Sequence, residues 1–315
     1  MEPMKLILAN PRGFCAGVRM AIDVVDQVLR AQGPPVYVYH EIVHNRHVVD
    51  DFRDRGVRFV EDVDDVPQGS TVIFSAHGIP PAVRERARAR NLTIHDATCP
   101  LVTKVHNEVI RYAKEGYQII FIGHRNHQEA IGTSGEAPDR ITIVEEPEEV
   151  EQLSFPPGTK LVYATQTTLS VTDAQRVIEA LRQKFPEIRE PAKEDICYAT
   201  TNRQDAVSAW APEADVVLVV GSRNSSNSNR LVDRAREAGI AAYLIDEASE
   251  IDPAWLEGAS TVLVTAGASA PETYVTGVVD RLKREHGAKL EERSLAEEGV
   301  QFALPRSVRR LSVVN

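Results

Sequence analysis

Three cysteines, Cys15, Cys99 and Cys197, are the residues of this 315-residue chain best suited to inorganic chemistry. One falls in each third of the sequence, and each opens a stretch with helical spacing at a junction marked by Gly, Thr or Pro. Pro100 suits the first turn of a helix, where its missing N–H costs nothing. A thiol at a helix N-terminus meets the positive end of the dipole, which favours the metal-binding thiolate. Buried, inert thiols are the plain alternative. An odd number of widely spaced cysteines does not make a small disulfide scaffold. Structural zinc sites draw on close Cys-x₂₋₄-Cys pairs, which this chain lacks. Iron–sulfur clusters accept thiolates from scattered positions. Three ligands on a cubane leave one iron open, where it acts as a Lewis acid on a substrate oxygen.

A second set of polar residues recurs with the cysteines. His44, His127 and Ser225 fall 28 or 29 residues after Cys15, Cys99 and Cys197, and His77, Thr167 and Ser269 fall 62 to 72 residues after them. Each ends a strand-like apolar run. Gly221-Ser-Arg-Asn-Ser225-Ser226-Asn227 is dense in hydroxyl and amide groups before a helix, the composition of an anion cradle, although a flexible polar loop has the same composition. Glu129 follows His127 by two residues. Buried beside an anion, its carboxyl would hold its proton to higher pH and deliver it near neutrality; a surface glutamate in an acidic protein is the bland reading. His40-Glu41-Ile42-Val43-His44 matches the zinc-peptidase pattern HExxH, which needs a helix. Here it ends a Pro-Pro-led, β-branched run, so the match reads as accidental. Arg84, Arg86, Arg88 and Arg90 read as a solvated helix face, with a dock for an acidic electron donor as the alternative.

The elements that must position these residues alternate. KLILAN, VYVYHEI, VRFVEDV, TVIFSA, LTIHDA, YQIIFIG, ITIVEE, KLVYAT, DVVLVVG, AAYLID and TVLVTAG read as strands, separated by helical spacings. Strand-then-helix alternation predicts parallel α/β layers, whose ligands gather beyond the carboxyl ends of the strands. Six matching strand-to-polar-turn junctions predict an internal triplication. The expected division is 1–97 with Cys15, 98–194 with Cys99, 195–283 with Cys197, and a C-terminal appendage at 284–315 that includes VQFALP and LSVVN. With 43% hydrophobic and 26% charged residues the composition is that of a soluble globular protein. The formal charge of −10 argues against nucleic acid as a partner. No apolar run approaches a membrane span, and MEPMKLILANPRGF is too short in its apolar part for a signal peptide, so cytoplasmic residence is expected.

ANPRGFCAGV, HEIVHN, FSAHG, DATCPLVTKVH, YATQTTLSV, DICYATTNRQ, GSRNSSNSNRL and TAGASAP together resemble the 4-hydroxy-3-methylbut-2-enyl diphosphate reductases of the methylerythritol phosphate route to isoprenoids, from Lys5 to about residue 283. The resemblance implies a trefoil of three pseudo-equivalent α/β domains around one [4Fe–4S] cluster held by Cys15, Cys99 and Cys197, seen as [3Fe–4S] if the open iron is lost. It implies reductive dehydroxylation, in which two electrons and two protons remove the allylic hydroxyl as water, giving isopentenyl and dimethylallyl diphosphate. By similarity His44, His77, His127, Ser225, Ser226, Asn227 and Ser269 bind the diphosphate. Thr167 and Glu129 lie near the substrate hydroxyl, with Glu129 as proton donor. Ferredoxin or flavodoxin is the expected electron donor. Gln128 stands where the family commonly has proline, and without proline's fixed φ a less rigid Glu129 is expected. The rival readings are a zinc hydrolase built on HEIVH and a metal-binding or electron-carrying module without catalysis.

Overall fold

The computed structural model describes residues 3–311; the first two residues of the N-terminal run and the last four of LSVVN lie outside the described residues. In chain order the elements are β1 (Lys5–Asn10), α1 (Ala16–Gln32), β2 (Val36–Tyr39), α2 (Arg46–Asp54), β3 (Val57–Val60), β4 (Thr71–Phe74), α3 (Pro81–Ala89) and β5 (Thr93–Asp96). Then come α4 (Pro100–Lys114), β6 (Gln118–Ile122), α5 (Gln128–Ser134), β7 (Ile141–Val144), α6 (Pro147–Gln152), β8 (Leu161–Thr165) and α7 (Val171–Lys184). The last are α8 (Tyr198–Trp210), β9 (Val216–Val220), α9 (Ser226–Glu237), β10 (Ala241–Ile245), β11 (Thr261–Ala266), α10 (Glu272–His286), β12 (Lys289–Ser294) and α11 (Arg306–Arg309).

The strands form three wholly parallel sheets, ordered β10-β9-β11-β1-β12, β3-β2-β4-β5 and β7-β6-β8. The central strands β9, β2 and β6 each have their chain successor on one side and the strand after that on the other. A fourth strand lies beyond: β1 beside β11, β5 beside β4, and beside β8 only an isolated parallel bridge from Val162 to Arg189. This single pattern occurs three times, as the spacing of the polar turns predicts, with the chain's first strand completing the sheet of its last third. Hydrogen bonds repeat with it. His40, Gly123 and Gly221, each just past a central strand, donate N–H to Val60, Val144 and Ile245 at 2.9, 3.1 and 2.9 Å. A central strand whose neighbours are reached in opposite directions is a switch point, and the loops after it and after its second neighbour line one crevice.

The chain divides into two compact units. One comprises Met1–Val18, His44–Asp50 and Tyr198–Gln301 and holds the five-stranded sheet. Its inner strands β1, β9 and β11 are buried on both faces. Leu6, Leu8, Leu218 and Val264 pack with Val275, Val278 and Leu282 of α10, while Ile7, Ala9, Val217 and Leu263 pack with Val207 of α8 and Leu231 of α9. Burial on both faces explains the unbroken VVLVV run of β9. The other unit comprises Arg19–Val43, Asp51–Cys197 and Phe302–Asn315 and holds the two smaller sheets. Phe74, Val72 and Tyr39 centre one core there, and Ile120, Ile122 and Tyr163 with Val177 and Leu181 of α7 centre another. The appendage expected from residue 284 instead contributes β12 to the five-stranded sheet, in register with β1 from Lys5–Lys289 to Asn10–Ser294.

Candidate active site

Each cysteine is fixed by its own backbone in the same way. Cys15 N–H donates to Ala268 O at 3.1 Å, Cys99 N–H to Ala76 O at 3.0 Å, and Cys197 N–H to Thr167 O at 3.0 Å. The three acceptors lie in the turns after β11, β4 and β8, which are equivalent strands. All three cysteines are half-buried. Cys99 is the N-cap of α4 with Pro100 at the first helical position, and Cys197 directly precedes α8. Cys15 directly precedes α1, and its sulfur accepts from Val18 N–H at 3.5 Å. All three thiols therefore stand at the N-terminal ends of helices. Among the described residues no three His, Cys, Asp or Glu side chains gather as they would around a single metal ion. A cubane distributes its thiolates over separate irons and does not require such a gathering.

The acid-bearing cluster lies wholly in the second unit. Glu129, 1% exposed, sits in the first turn of α5. Its Oε1 accepts from Thr167 N–H at 2.6 Å and its Oε2 from Thr167 Oγ1 at 2.9 Å. Burial raises its pKa to about 7; the two Thr167 hydrogen bonds pull the other way, and the charge of Asp195 adds to the rise. His127 caps α5 by accepting Glu129 N–H on Nδ1 at 3.2 Å, which leaves its proton on Nε2. Helix α5 therefore begins at Gln128. The His127 cap and the Thr167 clamp hold Glu129 without a proline at 128. His77, in the turn after β4, places its ring 5.8 Å from that of His127, edge to face. Close approach brings these turns together: a Cβ on Gly132 would lie 3.1 Å from the Gly78 carbonyl carbon.

In the first unit the turns after β9 and β11 adjoin at their switch point, where Gly267 N–H donates to Val220 O at 2.9 Å. Ser225 caps α9, accepting Ser228 N–H at 3.3 Å, so the helix opens at Ser226. Asn227 Oδ1 accepts Ala268 N–H at 2.8 Å, and Ser269 Oγ donates to His44 O at 2.8 Å while lying 3.5 Å from Ser225 Oγ. Ser225, Asn227 and Ser269 are buried, and His44 and Ser226 half-buried. A helix N-terminus rimmed by hydroxyls and an amide is chemistry for a phosphate group. The structure thus gathers His77, His127, Glu129 and Thr167 in one unit, and His44, Ser225, Ser226, Asn227 and Ser269 in the other.

The HEIVH segment is not helical: β2 ends at Tyr39, His40 has φ 57°, and His40 Nδ1 lies 2.8 Å from Glu61. In the arginine-rich helix, Arg84 pairs with Asp96 at 2.6 Å, Arg86 with Asp62 and Asp64, and Arg90 donates to Val66 O. These are contacts of the unit's own structure. Sequence reasoning missed Lys104 and Asp195. Lys104 Nζ donates to Asp195 at 2.6 Å and to the carbonyls of Lys193 and Glu194, and Asp195 also accepts Thr165 N–H at 2.9 Å. Burial pushes the Asp195 pKa up to about 6 against the pull of Lys104. The two residues lie inside the motifs DATCPLVTK and EDIC, but nothing local signals that they pair.

The sequence model of the family described as LytB protein matches residues 6–283. A 4-hydroxy-3-methylbut-2-enyl diphosphate reductase of Rhodopirellula baltica is 55% identical over 98% of this chain and 97% of its own length. One of Edwardsiella ictaluri is 55% identical over 97% of this chain and 98% of its own. The solved E-1-hydroxy-2-methyl-but-2-enyl-4-diphosphate reductase of Plasmodium falciparum superposes with a TM-score of 0.97 at 41% identity, covering 99% of each chain. Mixed α/β architecture with parallel sheets is common to both. Among the described residues no helix is long and apolar enough to cross a membrane. The chain belongs to the LytB protein family.

Proposed function

We propose that this chain reduces 4-hydroxy-3-methylbut-2-enyl diphosphate, removing the allylic hydroxyl as water with two electrons and two protons to give isopentenyl and dimethylallyl diphosphate. The observation that carries the reading is Glu129: a fully buried carboxyl, fixed by two hydrogen bonds from Thr167 and holding its proton to about pH 7. It stands in a chain more than half identical to relatives that bear the reductase name.

Cys15, Cys99 and Cys197 are the residues assigned to hold a [4Fe–4S] cluster. The fit rests on three half-buried thiols at equivalent helix starts, each docked by its N–H onto an equivalent turn. When bound, such a cluster supplies electrons singly and a Lewis-acidic iron that lacks a protein ligand. The chain's own residues bind, orient and protonate. Ser225, Ser226, Asn227 and Ser269, with His44, His77 and His127, are assigned to the diphosphate. Hydroxyl and amide groups at the start of α9 suit a dianionic group in an acidic protein, because backbone N–H groups and the helix dipole supply the positive potential. With a pKa raised to about 7 by burial, Glu129 can carry a proton near neutral pH. In that state the contact to Thr167 reverses: the carboxyl donates to Thr167 Oγ1, and the hydroxyl donates onward to the departing oxygen. Electrons are assigned to a protein donor such as ferredoxin or flavodoxin, and the setting to the cytoplasm.

Anaerobically purified protein should contain iron and acid-labile sulfide and should convert the allylic diphosphate with a chemical reductant. Glu129→Gln should retain both the cluster and diphosphate binding yet lose about 100-fold or more in turnover. Absence of sulfide from the wild type would sink the cluster assignment. A Glu129→Gln enzyme near full speed would remove Glu129 from the proton path.

A further inference from the structure

Arg203 lies on α8 with its side chain 0% exposed. Its hydrogen bonds and ion pair go to none of the residues assigned to substrate above. Its Nη1 donates to Ala199 O at 2.8 Å, and its Nη2 to Gly13 O at 2.8 Å. Both nitrogens are also held by Glu298, at 2.9 and 3.2 Å, and Asn202 Nδ2 donates to the same carboxylate at 3.1 Å. Ala199 is in the first turn of the helix that follows Cys197. Gly13 is in the turn that precedes Cys15, where a φ of 64° aims its carbonyl and a Cβ would lie 3.2 Å from Ala270 O. A further bond joins the same two segments, from Ala16 N–H to Tyr198 Oη at 3.4 Å. Glu298 reaches the guanidinium from the stretch after β12, beyond the residues that the family model covers.

A buried cation is an expensive way to fill space, and an apolar side chain of the same length packs at lower cost. What a guanidinium adds is geometry. Its planar fork holds several acceptors at fixed angles simultaneously, and Glu298 keeps the fork from turning. We propose that Arg203, locked by Glu298, is a positioning residue that fixes the Cys15 turn against the helix that follows Cys197, and so governs how firmly the cluster is retained. The inference rests on the assignment of Cys15 and Cys197 as cluster ligands. It gives the C-terminal stretch around Glu298 a function in the cluster site rather than that of an appendage.

The test compares wild type, Arg203→Met, Arg203→Lys and Glu298→Gln, all reconstituted anaerobically with iron and sulfide. Loading is read as iron and sulfide per chain, and retention as the rate at which a ferrous chelator extracts iron. The melting temperature of each apoprotein is measured alongside. Outer partners of metal ligands typically change metal retention by about 10- to 100-fold. Arg203→Met should therefore release iron about tenfold faster or more, and Glu298→Gln by a smaller factor in the same direction. Arg203→Lys, which restores one donor, should fall between Met and wild type. These ranks should hold even where the apoproteins melt alike. Should Arg203→Met fail to fold, Glu298→Gln, which preserves shape, decides alone. Iron release at the wild-type rate in the folded variants would overturn the proposal, as would release that merely follows the apoprotein melting temperature. A wild type that takes up no iron and sulfide would instead overturn the cluster assignment beneath it.

Discussion

Replacing the proposed proton donor should make the protein more stable at alkaline pH. Glu129 is enclosed, and its pKa stands at about 7 against an ordinary 4.5. At about 1.4 kcal/mol per tenfold change in proton affinity, holding the charged carboxylate in place above pH 7 costs about 3 kcal/mol. The sign follows from linkage. The folded state binds the Glu129 proton more tightly than the unfolded chain, so this contribution is favourable below pH 4.5 and is lost as pH rises through 7. Glu129→Gln keeps the shape without the charge. Its Oε1 accepts Thr167 N–H as before, and Thr167 Oγ1, now the acceptor, faces the amide NH₂. Urea midpoints of wild type and variant, both as apoproteins, measure the difference at pH 5 and pH 8. The variant should exceed the wild type by only about 1 kcal/mol at pH 5 and by up to about 3 kcal/mol at pH 8. A constant difference between the two pH values would refute the claim that burial stores this proton.

Thr167→Val removes the relaying hydroxyl and a bond that favours the charged carboxylate, so turnover should fall at every pH and the alkaline limb of the residual turnover should move up by about one pH unit. An unmoved limb would detach Thr167 from the proton. A Cβ on Gly267 would lie 2.0 Å from Ser228 Oγ. Gly267→Ala should therefore displace the start of α9, cost about 1–3 kcal/mol of stability, and weaken inorganic diphosphate binding in titration calorimetry; unchanged affinity would place the anion elsewhere. Holoprotein should bind inorganic diphosphate about fivefold or more tightly than apoprotein, because each cysteine backbone is bonded to a turn that carries or adjoins an assigned substrate residue. Equal affinities would show the two sites to be independent.

The repeat was legible because strand ends carry it: an apolar run such as VVLVV or KLILAN stops at a polar residue, and such stops recur at similar distances from each cysteine. The role of Pro100 at the start of α4 was legible from local chemistry alone. Helices α7 and α10 were not read, because their apolar stripes, Ala174-Val177-Leu181 and Val275-Val278-Val279-Leu282, are narrow and lie among charged residues. Strand β12, KLEERS, is an exposed edge that pairs, among the described residues, with β1 alone, so it needs no apolar pattern. The pairs Lys104–Asp195 and Arg203–Glu298 left no signal at all. Each joins residues far apart in the chain, and charged residues of an acidic protein read as surface until a partner is seen.

The docking of the cysteines gives the triplication a physical meaning beyond economy of folding. In each repeat the last turn of the sheet does two things at once. Its carbonyl holds a cysteine N–H, and a side chain in it or next to it is assigned to substrate: Ala76 beside His77, Ala268 beside Ser269, and Thr167 in both parts. Side chains there are free to diverge, and have done so to imidazole, secondary hydroxyl and primary hydroxyl, because the backbone bond to cysteine does not depend on them. Three copies of one backbone device can then present three like sulfur ligands and three unlike substrate contacts. On the proposed assignment, three repeats would supply three thiolates to a four-iron cluster and leave one iron without a protein ligand, so the number of repeats, rather than any single residue, would set that opening.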